Sequence, residues 1–199
     1  MSNLFYRGQF DNYKVRNIDK SLESITESMI FDSKYHEVKT KVFLSHKHDD
    51  LEDLKGVIGL LETKFNVDVY IDSRDKTMPK ITSGETASRI KNRIKRCDKF
   101  ILLATDGALE SKWCNWELGF GDAEKLSNNS IALFPMCDNR WNESAYKGNE
   151  YMEIYPYIVY RDGTTTYTDG SPILKGYYVR TKSKDGSFNL TLLSKWLKK

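Results

Sequence analysis

The sequence predicts an α/β fold, a central parallel sheet with helices on both faces. Two observations carry this. Short apolar runs rich in branched and aromatic residues recur through the middle of the chain, and stretches with apolar residues at helical spacing separate them. Strands joined through helices of that length run parallel, and a parallel sheet needs cover on both faces. Lys41–Ser45 (KVFLS) is the first buried-strand run. Asp49 or Asp50 then offers a cap for a helix whose apolar positions are Leu51, Leu54, Val57, Ile58, Leu61 and Phe65. Val67–Ile71 is the second strand, followed by a polar, proline-containing loop over Asp72–Gly84. A helix from about Glu85 to Arg96 places Ala87, Ile90 and Ile94 on one face, and Phe100–Ala104 is the third strand. Leu109–Leu126 reads as one helix, Ser130–Pro135 as the fourth strand and Tyr155–Tyr160 as the fifth.

The flanks carry less pattern. Residues 1–38 contain an amphipathic stretch with Ile18, Leu22, Ile25 and Met29 at helical spacing. After the fifth strand, Arg161–Ser171 is turn-rich, Tyr177–Arg180 reads as a further strand and Leu190–Leu197 as a closing helix. The expected division is therefore an N-terminal extension (1–38), a central domain (39–160) and a C-terminal extension (161–199) packed on it. A chain of 199 residues suits one domain with additions.

Composition narrows the function classes. Charged residues make up 30% and aromatics 13%, as in a soluble globular protein. The net charge of +3, from 31 basic and 28 acidic residues, is too balanced to argue for nucleic acid. No apolar run approaches the roughly 18 residues of a membrane span, and the N-terminus lacks the apolar centre of a signal peptide. Cys97, Cys114 and Cys137 are odd in number and form no CxxC pair, which fits free thiols in a reducing cytoplasm. A cytoplasmic location is the expectation.

One side chain stands out. Read on a helix, Glu117 has Trp113, Cys114, Phe120 and Gly121 as its neighbours three and four residues away. None carries a positive charge. A carboxylate against such a surface is partly desolvated, so its pKa rises and it is costly to keep. The residues alone leave two readings open: an ion pair with a basic side chain from another element, or chemistry.

Four segments in order carry a family resemblance: Val42–Asp50 (VFLSHKHDD), Val69–Glu85 (VYIDSRDKTMPKITSGE), Cys97–Thr105 (CDKFILLAT) and Ser111–Ala123 (SKWCNWELGFGDA). Together they resemble a bacterial Toll/interleukin-1 receptor (TIR) domain over roughly residues 38–160. The resemblance implies a flavodoxin-like three-layer domain with a central parallel five-stranded sheet, here with N- and C-terminal additions. It implies a long loop after the second strand that borders a cleft. Trp113 and Glu117 match the WxxxE pattern that carries the catalytic glutamate of TIR domains that consume NAD+, so the implied activity is an NAD+ nucleosidase of the antiphage-defence type. NAD+ enters as substrate rather than cofactor. The resemblance implies further copies as partners through TIR surfaces, and the lack of a second recognisable effector, sensor or receptor domain leads to the expectation of a separate effector or sensor protein. A non-catalytic interaction module remains the alternative.

Around Glu117 as catalytic residue, the expected substrate-binding set is Ser45, His46, Asp72, Arg74, Met78, Ser83 and Trp113. Ser45 and His46 follow the first strand, at the carboxyl edge where ligands bind in such sheets. A solvated loop histidine is an equal reading of His46. Trp113 lies one turn before Glu117 and walls the pocket, unless it is a core tryptophan. Asp72, Arg74, Met78 and Ser83 belong to the long loop, where a guanidinium fork suits pyrophosphate oxygens. His46 and His48 lack further ligands at metal spacing, so no metal is expected. No GxGxxG or Walker loop is present. The basic run Arg89, Lys91, Arg93, Lys95 and Arg96 reads as a solvated helix face, and Cys114 as a small buried hydrophobe.

Overall fold

The computed structural model describes residues 4–14, 39–72, 83–138, 140–183 and 185–198. The amphipathic stretch Ile18–Met29 lies outside them, as do Arg74 and Met78. The strands are β1 (Phe5–Tyr6), β2 (Lys41–Ser45), β3 (Asp68–Tyr70), β4 (Lys99–Ala104), β5 (Ile131–Cys137), β6 (Tyr157–Arg161), β7 (Gly176–Lys182) and β8 (Phe188–Leu192). The helices are α1 (Leu51–Phe65), α2 (Gly84–Arg96), α3 (Asp106–Glu110), α4 (Lys112–Lys125), α5 (Asn149–Ile154) and α6 (Leu193–Trp196).

The five expected parallel strands form the centre in the order β3-β2-β4-β5-β6. This is the flavodoxin-like order, whose crossovers diverge between β2 and β4 and leave a crevice beyond their carboxyl ends. Ser45, the last residue of β2, pairs with Leu102 of β4 at that point. Every residue of β4 and β5 is buried, as strands covered on both faces must be. Among the described residues no helix is long and apolar enough to cross a membrane.

The sheet continues past the expected five strands. β7 and β8 add antiparallel to β6, all in one eight-stranded sheet. This corrects the closing helix expected over Leu190–Leu197: its first residues are strand β8, and only Leu193–Trp196 is helical. Gly186, in the left-handed region at φ 82°, turns the chain between β7 and β8, and Asp185 Oδ1 accepts from the Ser187 amide at 3.0 Å. Cross-strand pairing with β7 outweighs the weak helical spacing.

A second correction concerns Leu109–Leu126. The helix breaks at Ser111, which is extended (ψ 119°) and whose hydroxyl accepts from the Cys114 amide to cap α4. A serine that bonds locally to the backbone favours a cap over a helix interior. Asn115 fixes this start by donating to the carbonyls of Leu109 and Ser111, while its Oδ1 accepts from Tyr151.

The N-terminal arm is woven into the same sheet. β1 pairs in parallel with Met136–Cys137, beyond the point where β5 has left β4. Phe5 and Phe10 are buried against Phe134, with Phe5 stacked at 4.5 Å. Each such ring stabilises the arm's docking by about 1.5–3 kcal/mol over an exposed one. The arm also lies directly on α1. A Cβ at Gly59 would sit 1.8 Å from the Tyr13 carbonyl oxygen, and one at Gly56 2.7 Å from that of Phe10.

Candidate active site

Fold and sequence bring Ser45, His46, Asp72 and Glu117 together. β2 delivers Ser45 and His46 to the crevice, β3 delivers Asp72, and α4 delivers Glu117 from its second turn, past the reach of the helix dipole. Glu117 is only 1% exposed. Its Oε2 accepts a hydrogen bond from the Ser45 hydroxyl at 2.5 Å. Its Oε1 has no hydrogen-bond partner among the described residues. Among the described residues no cation is an electrostatic neighbour of the carboxylate. Burial, followed by the negative charge of Asp72, pushes its pKa up to about 8, and the Ser45 hydroxyl and the polar edge of the nearby Trp113 pull only partly back.

The ion-pair reading of Glu117 thus finds no partner among the described residues, and a like charge lies nearby instead. A carboxylate so placed favours its protonated form near neutral pH, and a nearby positive charge would favour ionisation. His46 is buried rather than solvated, which corrects the loop-histidine reading. Its Nδ1 lies 3.3 Å from the Leu44 carbonyl and 4.0 Å from Asp72 Oδ1. Burial lowers its pKa more than Asp72 and Leu44 raise it, so the ring is neutral at pH 7.

Trp113 is half-buried and begins an aromatic ladder along α4, stacked on Trp116 at 4.9 Å, with Trp116 stacked on Phe120 at 6.4 Å. Lys91 lies 5.7 Å above Trp116 and 5.4 Å above Phe120, and Lys95 lies 5.8 Å above Phe120. Arg93 covers Tyr70 at 5.3 Å. The basic run is therefore partly spent on packing α2 against its neighbours, which refines the solvated-face reading. Its last turn also complements the helix dipole.

Ser83 has a structural occupation. It accepts from the Thr86 amide, and Thr86 Oγ1 accepts from the Ser83 amide, a capping box for α2. Cys114 lies beside Ser45 and Glu117, and burial pushes its thiol up to about 11, which removes it as a thiolate nucleophile at neutral pH. No group of three or more His, Cys, Asp or Glu among the described residues is placed to hold a metal.

A feature the sequence did not announce lies behind the crevice. Asp50, also buried, ends the 3-10 turn His48–Asp50 that follows His46. Its Oδ2 accepts from the Thr105 hydroxyl at 2.6 Å and its Oδ1 pairs with Arg7 at 2.9 Å. Asp50 stands at the start of α1 as the sequence suggested, but its side chain makes no cap bond there, which corrects that expectation: both oxygens are taken by Thr105 and by an arginine 43 residues away.

The sequence profile described as the TIR domain matches residues 42–169, more than half of the chain. A similar protein is the "Probable 3' cyclic ADP-D-ribose synthase ThsB'" of Bacillus cereus (strain MSX-D12), 27% identical over 151 residues, or 74% of this chain and 71% of that protein. A second is TIR2 of Cytobacillus dafuensis, named as a proposed cyclic ADP-D-ribose synthase. It is 29% identical over 82 residues, which cover 40% of this chain and 21% of that protein.

Proposed function

The chain belongs to the TIR domain family, and from that premise we propose that it is an NAD+ nucleosidase that breaks the bond between nicotinamide and ribose. The observation that carries this reading is Glu117: a buried carboxylate with one oxygen held by Ser45 and the other without a hydrogen-bond partner among the described residues. Glycosidases ordinarily need an acid for the leaving oxygen and a second carboxylate. NAD+ needs no acid. The C–N bond breaks with both electrons going to the positively charged ring nitrogen, and nicotinamide departs neutral. The ribose is left as an oxocarbenium-like cation.

Glu117 supplies the negative charge that this cation requires, in a dry site where one charge acts strongly. The incoming pyridinium favours ionisation of Glu117, so substrate binding and activation of the carboxylate are linked. Ser45 orients Oε2 and leaves Oε1 for a ribose hydroxyl. Neutral His46, Asp72 and the Trp113 edge complete the binding wall; Arg74, whose guanidinium suits pyrophosphate oxygens, and Met78 belong to the proposed binding set and lie outside the described residues. Ser83 is left to its cap.

The cation is then quenched by water, which loses a proton and gives ADP-ribose, or by a nucleophilic atom of the same or another ADP-ribose unit. The names of both relatives support cyclisation. The product, ADP-ribose, a cyclic isomer or a conjugate, serves as a signal in antiphage immunity. The protein works in the cytoplasm, associates with further copies through TIR surfaces and acts with a separate effector or sensor protein.

The test is incubation with NAD+, alone and with lysate of phage-infected cells, with products read by mass spectrometry. The expected result is nicotinamide release in at least one condition, lost in Glu117→Gln. No release in either, at high protein concentration, would favour a non-catalytic interaction module.

A further inference from the structure

We propose that Arg7 of the N-terminal arm is a positioning residue for the Ser45–Glu117 site, clamping Asp50 so that the turn after β2 presents Ser45 and His46 to the substrate. This rests on the reading of that site as the place where NAD+ is cleaved. The guanidinium spends its three nitrogens on three carboxylates: Nη2 on Asp50 Oδ1 at 2.9 Å, Nη1 on Asp53 Oδ2 at 2.7 Å and Nε on Asp138 Oδ1 at 2.7 Å. These come from the turn after β2, the first turn of α1 and the end of β5. One side chain thereby ties together three elements at the carboxyl edge of the sheet. The backbone adds to it, with the Gly8 amide on Asp53 Oδ1 at 2.8 Å and the Arg7 amide on the Cys137 carbonyl at 3.2 Å.

Docking of the arm does not need this fork. Phe5 and Phe10 are buried, β1 is paired, and Gly56 and Gly59 admit the arm's backbone against α1. What the fork adds is directed at Asp50, whose other oxygen is already fixed by Thr105 at the end of β4. Asp50 is 3% exposed, so without Arg7 a buried negative charge lacks its cation and the turn must open to hydrate it. That turn is contiguous with His46 and Ser45. Asp50 also acts on the His46 ring electrostatically, together with Asp72 and His48. Misplacement of a positioning group by about 1 Å costs up to about 100-fold in rate.

The experiment compares the full chain with Arg7→Gln, Arg7→Lys and Asp50→Asn, and with the Arg7→Gln/Asp50→Asn double variant. Nicotinamide release gives kcat and KM well below each variant's melting temperature, and NMR follows the titration of the His46 ring. Arg7→Gln is expected to lose about tenfold or more in kcat, with a smaller change in KM, and to move the His46 titration. Arg7→Lys keeps the charge but not the fork and is expected to fall between. The double variant is expected to lose less than the product of the single losses, since both remove one clamp. Wild-type kcat, KM and His46 titration in a folded Arg7→Gln would overturn the proposal, whatever happens to its melting temperature. If the wild type releases no nicotinamide, the NMR arm still decides: a moved His46 titration keeps Arg7 as the clamp while the cleavage reading fails, and an unmoved one sinks the clamp.

Discussion

Two buried carboxylates stand at the carboxyl edge of this sheet, and they are treated in opposite ways. Asp50 has both oxygens engaged, one by an arginine and one by a threonine hydroxyl. Glu117 has a neutral hydroxyl on one oxygen, no described partner on the other, and Asp72 as a like-charged neighbour. Burying a carboxylate without a cation is unfavourable, so a compensated one reads as architecture. An uncompensated one is kept for something that the empty protein does not contain. The proposed roles rest on this difference, with Asp50 as part of the frame and Glu117 as the group proposed for the reaction.

The largest expected effect separates the two by activity. Glu117→Gln preserves shape and removes the charge, and nicotinamide release should fall by about 100-fold or more. Full activity in this variant would erase the distinction.

Stability should separate them with the opposite sign. Asp50→Asn breaks a charge-assisted pair and should cost about 1.5–3 kcal/mol in urea unfolding. Glu117→Gln should not destabilise, and at alkaline pH it should stabilise. The folded pKa of Glu117, about 8, lies above its ordinary value of 4.5. Between these pH values the folded state holds a proton that the unfolded state has released, so stability falls as pH rises through that window. The gap between Glu117→Gln and wild type should therefore widen from pH 5 to pH 8 and then level, reaching a few kcal/mol at most. An equal pH dependence in both proteins would show that Glu117 is compensated after all.

Much of the architecture was legible because it is written locally. Each central strand is a run such as Phe100–Ala104, and each helix between strands keeps its apolar spacing, so the five parallel strands followed. The break at Ser111 and the strand Phe188–Leu192 were missed where a local signal competed with a longer pattern. Ser111 looked like one more helical position until its cap bond outweighed continuation, and Asp185-Gly186 marked the β7–β8 hairpin. Of the site, the oddity of Glu117 was visible from its own helix, whereas Ser45 as its donor needed the fold. Arg7 with Asp50 was invisible because an ion pair between distant segments leaves no trace in spacing.

Smaller effects would sharpen the electrostatics around Glu117. On the proposed mechanism, wild-type kcat/KM should rise with pH through a midpoint near 8 and level above it, because the ionised carboxylate is the working form. Asp72→Asn removes the like charge and should move this profile to lower pH. Ser45→Ala removes a donor to the charged form, should move it higher and should cost about tenfold in rate at pH 7. Profiles that stay fixed in both variants would place the titrating group elsewhere.

The most direct measurement is the NMR titration of the Glu117 side-chain carboxyl carbon, with and without NAD+. An uncompensated carboxylate that awaits a cationic substrate should titrate near pH 8 in the free protein and at lower pH once NAD+ is bound. A midpoint near 4.5 that NAD+ does not move would contradict the account.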